Sequence, residues 1–157
     1  MFTPIDKTVT RKNLEAAFGG ESMAYQKYLF FARVARELGN EQVATLFEET
    51  ARQETAHAYG HLDLLYPRAT LTIEKLLELA IEGETYEYTT MYPEFRQKAE
   101  DEQDDKAVAE FLHQEAESKE HADIFREALK KAEKRFAALT RVEARHAKQY
   151  SDTLAAL

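Results

Sequence analysis

Phe47-Glu48-Glu49-Thr50-Ala51-Arg52-Gln53-Glu54-Thr55-Ala56-His57-Ala58 contains no helix breaker, and its Glu54 and His57 stand three residues apart. On an α-helix that spacing puts a carboxylate and an imidazole on one face, one turn apart. His-Ala returns at 121–122 and 146–147, and each copy has a Phe ten residues before its His: Phe47, Phe111 and Phe136. Glu143 repeats the carboxylate before His146, whereas Ser118 stands in that place before His121.

Outward from this stretch the chain reads as helices. A first helix is expected from about Thr10 to Leu38, with Leu14, Phe18, Tyr25, Leu29 and Ala32 at helical spacing. Gly39-Asn40 stops it. A second runs from about Glu41 to Leu65 through Val43, Leu46, Phe47, Ala51, His57 and Leu64. The helix pair 10–66 is followed by the breaker-rich connector 67–71, which separates two halves. Thr72 caps a third helix that passes Glu84, Glu87 and Pro93, where a kink is expected, and ends around Glu100 to Asp104. Asp104 or Asp105 caps the next helix. From there to Leu157 neither Gly nor Pro occurs, and the stretch reads as two helices, about 105–130 and 131–155, with one very long helix as the alternative. Phe111/His121 and Phe136/His146 are offset by 25 residues, close to seven helical turns. With that offset removed, Glu87 to Glu143 spans 31 residues against 33 from Glu21 to Glu54, so the chain reads as two related helix pairs plus one extra segment within 72–157.

The chain of 157 residues suits one domain, here 1–157, and its 32% charged residues, five Gly and three Pro point to an all-α protein. A net charge of −8 offers no basic stripe for phosphates, so no nucleic-acid partner is expected. No Cys is present, which excludes disulfides, iron–sulfur clusters and thiolate zinc sites. Redox work would fall to a metal held by oxygen and nitrogen. There is no signal-peptide core and no apolar run of membrane-spanning length, so no membrane partner and a cytoplasmic location are expected.

Glu21 lies beside the apolar stripe of the first helix, amid Phe18, Ala24 and Tyr25. With Glu54, His57, Glu84, Glu87, Glu143 and His146 it makes five glutamates and two histidines. This is the side-chain set already known from dinuclear centres in helical bundles, so the chain matches a pattern. Burying several carboxylates uncompensated is costly, and a pair of divalent cations removes that cost. Oxygen and imidazole donors without sulfur favour iron or manganese, with zinc as another occupant. His61 and His113 carry no such motif.

Glu21-Ser22-Met23-Ala24-Tyr25, Glu54-Thr55-Ala56-His57-Ala58 and Gly83-Glu84-Thr85-Tyr86-Glu87-Tyr88, followed by Met91-Tyr92-Pro93, resemble the rubrerythrins, the erythrin branch of the ferritin-like superfamily. The resemblance covers nearly the whole chain. It implies a ferritin-like four-helix bundle, here with one additional C-terminal helical segment, and a centre of two iron ions. By position Glu21, Glu54, His57, Glu84 and Glu87 match the first five ligands. Tyr28 and Tyr92 match tyrosines that hydrogen-bond ligand carboxylates. The last helix departs from the family: counting from Met91 by the usual spacing lands the last His on His121 and its Glu on Ser118. Glu143/His146 keeps both ligand types and is the pair this reading favours. His121 with Glu117 or Glu120 is the alternative, the two glutamates facing differently from Ser118.

The resemblance implies a peroxidase or oxidase that reduces hydrogen peroxide or dioxygen in oxidative-stress protection, in a pocket expected to be lined by Phe18, Phe47 and Phe136. With no cysteines for a rubredoxin-type iron, a separate electron-donor protein is expected, and a homodimer is implied by the family. The rival readings are a ferroxidase that stores or delivers iron, and a structural bundle without metal.

Overall fold

The computed structural model describes residues 9–155; residues 1–8 and 156–157, the outer ends of the expected 1–157 domain, lie outside the described residues. The described residues form α1 (Val9–Glu37), α2 (Glu41–Leu65), a 3-10 turn (Arg68–Thr70), α3 (Ile73–Tyr86), a π-helical turn (Glu87–Met91), α4 (Tyr92–Asp101) and α5 (Asp105–Ala155). No strand occurs among them, as expected of an all-α chain. The chain divides between Leu71 and Thr72 into two compact units, at the end of the connector.

In the first unit α1 and α2 form a helical hairpin. Gly39 takes φ +80°, the left-handed conformation that ends α1, and the Asn40 amide donates back to the Ala35 carbonyl at 2.9 Å. Asn40 then caps α2, its Oδ1 accepting from the Val43 amide at 3.1 Å. The Arg36 guanidinium donates to both Glu41 (2.8 Å) and Glu48 (3.0 Å) across the turn, which raises its own pKa and lowers that of Glu41.

The seam between the two helices is built on alanine. Ala44, Ala51, Ala58 and Leu65 recur every seven residues of α2 and are all buried. Opposite them, α1 presents Ala32 and Ala35, also buried. Small side chains on both sides let the backbones approach, and a seven-residue row keeps its face toward one partner helix. The larger residues expected to face inward, Leu46 and Leu64, are instead 61% and 56% exposed. A pair of helices can cover only one stripe on each member, so a second apolar stripe stays open. Tyr28 and Phe31 pack on Phe47, with ring centroids 5.8 and 5.5 Å away.

In the second unit α3 and α4 pack on α5. Thr72 caps α3, its hydroxyl oxygen accepting from the Lys75 amide at 3.2 Å. The expected disturbance at Pro93 takes a defined form. Proline lacks an amide donor and its ring crowds the carbonyl four residues earlier, here that of Thr89. The backbone widens just ahead of it into the π turn, where the Tyr92 amide donates to the Glu87 carbonyl five residues back. After Gln103 at φ 58°, Asp104 caps α5 through the Ala107 amide at 3.0 Å.

Helix α5 is one element of 51 residues and not the expected two. Nothing in its sequence ends a helix, so it runs for about 76 Å at 1.5 Å per residue. Its first half packs: Ser118 and Ala122 are buried, and Tyr92 and Phe95 stack on Phe111 at 6.4 and 5.7 Å. From Glu133 to Ala155 every residue except Val142 is exposed.

Candidate metal centre

The alanine seam of the first unit carries the expected ligands with it. Glu54 stands three residues after Ala51 and His57 immediately before Ala58, so both lie along the edge of α2 that meets α1. His57 Nδ1 lies 2.9 Å from Glu54 Oε2 and 3.8 Å from Glu21 Oε1. One ligand atom from each of Glu21, Glu54 and His57 falls within 4.8 Å of the others, the only such group of three metal-binding side chains among the described residues. Glu21 and Glu54 are half-buried and His57 is exposed, so the cluster is open to an incoming ion.

The second unit gathers a different set. Glu84 reaches His121, Oε2 to Nδ1, at 3.5 Å, without hydrogen-bond geometry. That oxygen is buried and has no hydrogen-bond partner. Glu87 has its own partner: its Oε2 accepts a hydrogen bond from the Ser118 hydroxyl at 2.8 Å, with Ser118 only 4% exposed. Further along α5, Arg126 donates to Thr85 Oγ1 at 2.9 Å and to the Tyr88 hydroxyl at 3.4 Å, fastening α3 to α5 beside this set.

Glu143 and His146 are not brought to Glu84 and Glu87. In an unbroken α5 they stand 25 residues beyond Ser118 and His121, about 37 Å along the axis, and both are exposed. The repeat had placed the two pairs on the same face of the helix, which periodicity alone cannot resolve; distance along the axis resolves it. His121 is the histidine that faces Glu84. Neither Glu117 nor Glu120 joins it: Glu117 lies 3.7 Å from His113, and Glu120 is exposed. Phe136, on the far half of α5, is 45% exposed.

Of the two expected tyrosines, Tyr92 sits with the second set. Its phenol pKa is raised, first by burial and then by the charges of Glu87 and Glu84, so it remains a proton donor. Tyr28 packs on Phe47. Neither phenol hydrogen-bonds a carboxylate among the described residues. Sequence reasoning assigned neither the contact of Ser118 with Glu87 nor those of Arg126 with Thr85 and Tyr88. For Ser118 a signal existed, since it fills the place where two other motif copies hold Glu. For Arg126 there was none.

The donor sets suit a hard or borderline cation. Three convergent oxygen and nitrogen groups in the first unit, and a buried carboxylate oxygen without a partner in the second, are what a bound ion would satisfy.

A model of the rubrerythrin family matches residues 12–129. The chain belongs to the rubrerythrin family. The matched span includes His121 and stops before Glu143 and His146, and membership places the chain in the ferritin-like class of helical folds. Among curated relatives, nigerythrin of Nitratidesulfovibrio vulgaris is 35% identical over 128 residues, covering 74% of this chain and 63% of its own. Rubrerythrin of Porphyromonas gingivalis is 34% identical over 93% of this chain and 66% of its own. Rubrerythrin-1 of Clostridium acetobutylicum is 34% identical over 80% and 72%. The chain therefore spans about two thirds of the length of the curated relatives it matches. A solved nigerythrin in the fully reduced, all-ferrous state shares 33% identity, covers 85% of this chain and 73% of that one, and superposes with a TM-score of 0.41. No helix among the described residues is long and apolar enough to cross a membrane.

Proposed function

We propose that this rubrerythrin-family chain is a non-haem di-iron oxidoreductase that reduces hydrogen peroxide or dioxygen, with electrons from a separate donor protein. On this reading the two helix pairs belong to one ferritin-like domain that functions as a homodimer. Glu21, Glu54 and His57 would hold iron from the first pair, and Glu84, Glu87 and His121 from the second. Manganese or zinc would be alternative occupants. The observation that carries the reading is the convergence of Glu21, Glu54 and His57 within 4.8 Å, in a chain whose family match spans both ligand sets.

When bound, the iron pair would supply the electrons that break an O–O bond. The chain's own residues would do the rest. The carboxylates balance the cation charge and lower the cost of holding it in a partly buried site. Tyr92, whose phenol pKa is raised first by burial, would hold a proton beside the carboxylates where the reduced oxygen needs one. Glu143 and His146 have no part in this set.

Stopped-flow oxidation of the di-ferrous protein tests the proposal. Oxidation by hydrogen peroxide well above the rate in buffer is expected, with water as product. A rate equal to the buffer rate would overturn it. Ferric iron accumulating beyond two ions per chain would favour the storage reading instead.

A further inference from the structure

Ser118 breaks the equivalence of the two ligand sets. In the first unit two carboxylates and one imidazole converge. In the second unit only Glu84 and His121 approach each other. The position that carries Glu before His57 carries a neutral serine before His121. Its hydroxyl donates to Glu87 at 2.8 Å, and the serine is buried, only 4% exposed. The second set thus has the same two carboxylates and one imidazole as the first, but one of its carboxylates is engaged by the serine, and no third carboxylate stands at 118 to make up for it. Cation affinity at oxygen-rich sites follows the number of charged ligands and their freedom to reach the ion. The unpartnered buried Glu84 Oε2 still marks the second set as a place for a cation.

We propose that Ser118 makes the two metal positions of this chain unequal: Glu21, Glu54 and His57 hold one ion tightly, and Glu84, Glu87 and His121 hold a second ion weakly and exchangeably. This rests on the di-metal reading above. Loading is stepwise, the first position filling before the second. The hydroxyl of Ser118 acts as a positioning group, holding Glu87 by a hydrogen bond where a carboxylate would add a ligand. The difference in affinity is at least about tenfold, the lower end of what altered support around metal ligands produces.

The test is titration of the full, metal-stripped chain with Co(II), followed by calorimetry and by the visible spectrum of the bound ion. Two phases are expected, each of one equivalent per chain. E54Q should remove the tight phase and leave the weak one; H121A should remove the weak phase and leave the tight one. S118E should strengthen the weak phase at least tenfold, with S118D as the shorter carboxylate should Glu at a buried position prevent folding, as judged by far-ultraviolet circular dichroism. S118A, which frees Glu87 without adding a charge, should leave two separate phases. One common affinity for both ions in the unaltered chain overturns the proposal while leaving the di-metal reading intact. Loss of the tight phase in H121A overturns it as well, because the inequality would then not lie where Ser118 puts it. No Co(II) binding at all, repeated with Mn(II) and Zn(II), overturns the di-metal reading itself.

Discussion

In the first helix pair Glu21, Glu54 and His57 offer ligand atoms within 4.8 Å of one another; in the second, Glu84 and His121 approach to 3.5 Å while Glu87 is drawn to Ser118. Both pairs place their acidic and imidazole groups at helical spacing on facing elements, and both seams are lined with small buried residues: Ala44, Ala51 and Ala58 in one, Ser118 and Ala122 in the other. Helical spacing and small seam residues are thus common to both, and the chemistry diverges at single side chains. A residue that packs well at a tight seam can be apolar, a ligand, or a hydrogen-bond donor that occupies a ligand. Ser118 is small enough for the seam and polar enough to redirect Glu87.

The largest expected effect separates the two sets outright. Replacing both Glu54 and His57 by Ala should remove one equivalent of bound metal per chain by elemental analysis, since two of three convergent donors disappear. Retention of two equivalents would break the comparison at its base. Next comes the choice between histidines: H121A should lower metal content and H146A should leave it unchanged, because His146 stands about 37 Å beyond His121 along α5. Equal losses from both variants would return Glu143 and His146 to the site.

Packing gives smaller and more local differences. Ala51 is fully buried at the α1–α2 seam, so A51L should destabilise the chain by about 1–3 kcal/mol in urea titration. A137L, on the exposed half of α5, should stay within about 0.5 kcal/mol of the unaltered chain. A large penalty at Ala137 would show that the far half of α5 is covered in solution. The smallest effects should be alike in the two pairs. N40A and T72A each remove a side-chain cap at a helix start, and each should cost about 1 kcal/mol. A clear inequality there would mean that one pair contributes little to global stability.

Helix boundaries were largely legible in the sequence because their signals are local. Gly39-Asn40, Thr72 and Asp104 act through their own backbone angles and neighbouring amides, and each is found capping or ending a helix as expected. That Glu54 and His57 share a face, and Glu84 and Glu87 another, was legible because helical spacing fixes which side chains lie one turn apart. The extent of α5 was not, since an unbroken helix and two helices share the same breaker-free composition. Large side chains also misled: Leu46 and Leu64 mark an apolar stripe, yet the α1–α2 contact is made by alanines that a hydrophobicity pattern underweights.

The sequence by itself determined that the chain is helical, where its helices start, and that carboxylates and histidines recur one turn apart on their faces. The 3.6-residue period and capping involve only near neighbours, which is why they can be read without a fold. Only the tertiary structure decided which copy of the repeat meets Glu84. His121 and His146 share a face of α5 to within a fraction of a turn, so no pattern along the helix distinguishes them. The packing of α3 against the first half of α5 does, because a side chain can coordinate only what lies within a few ångströms.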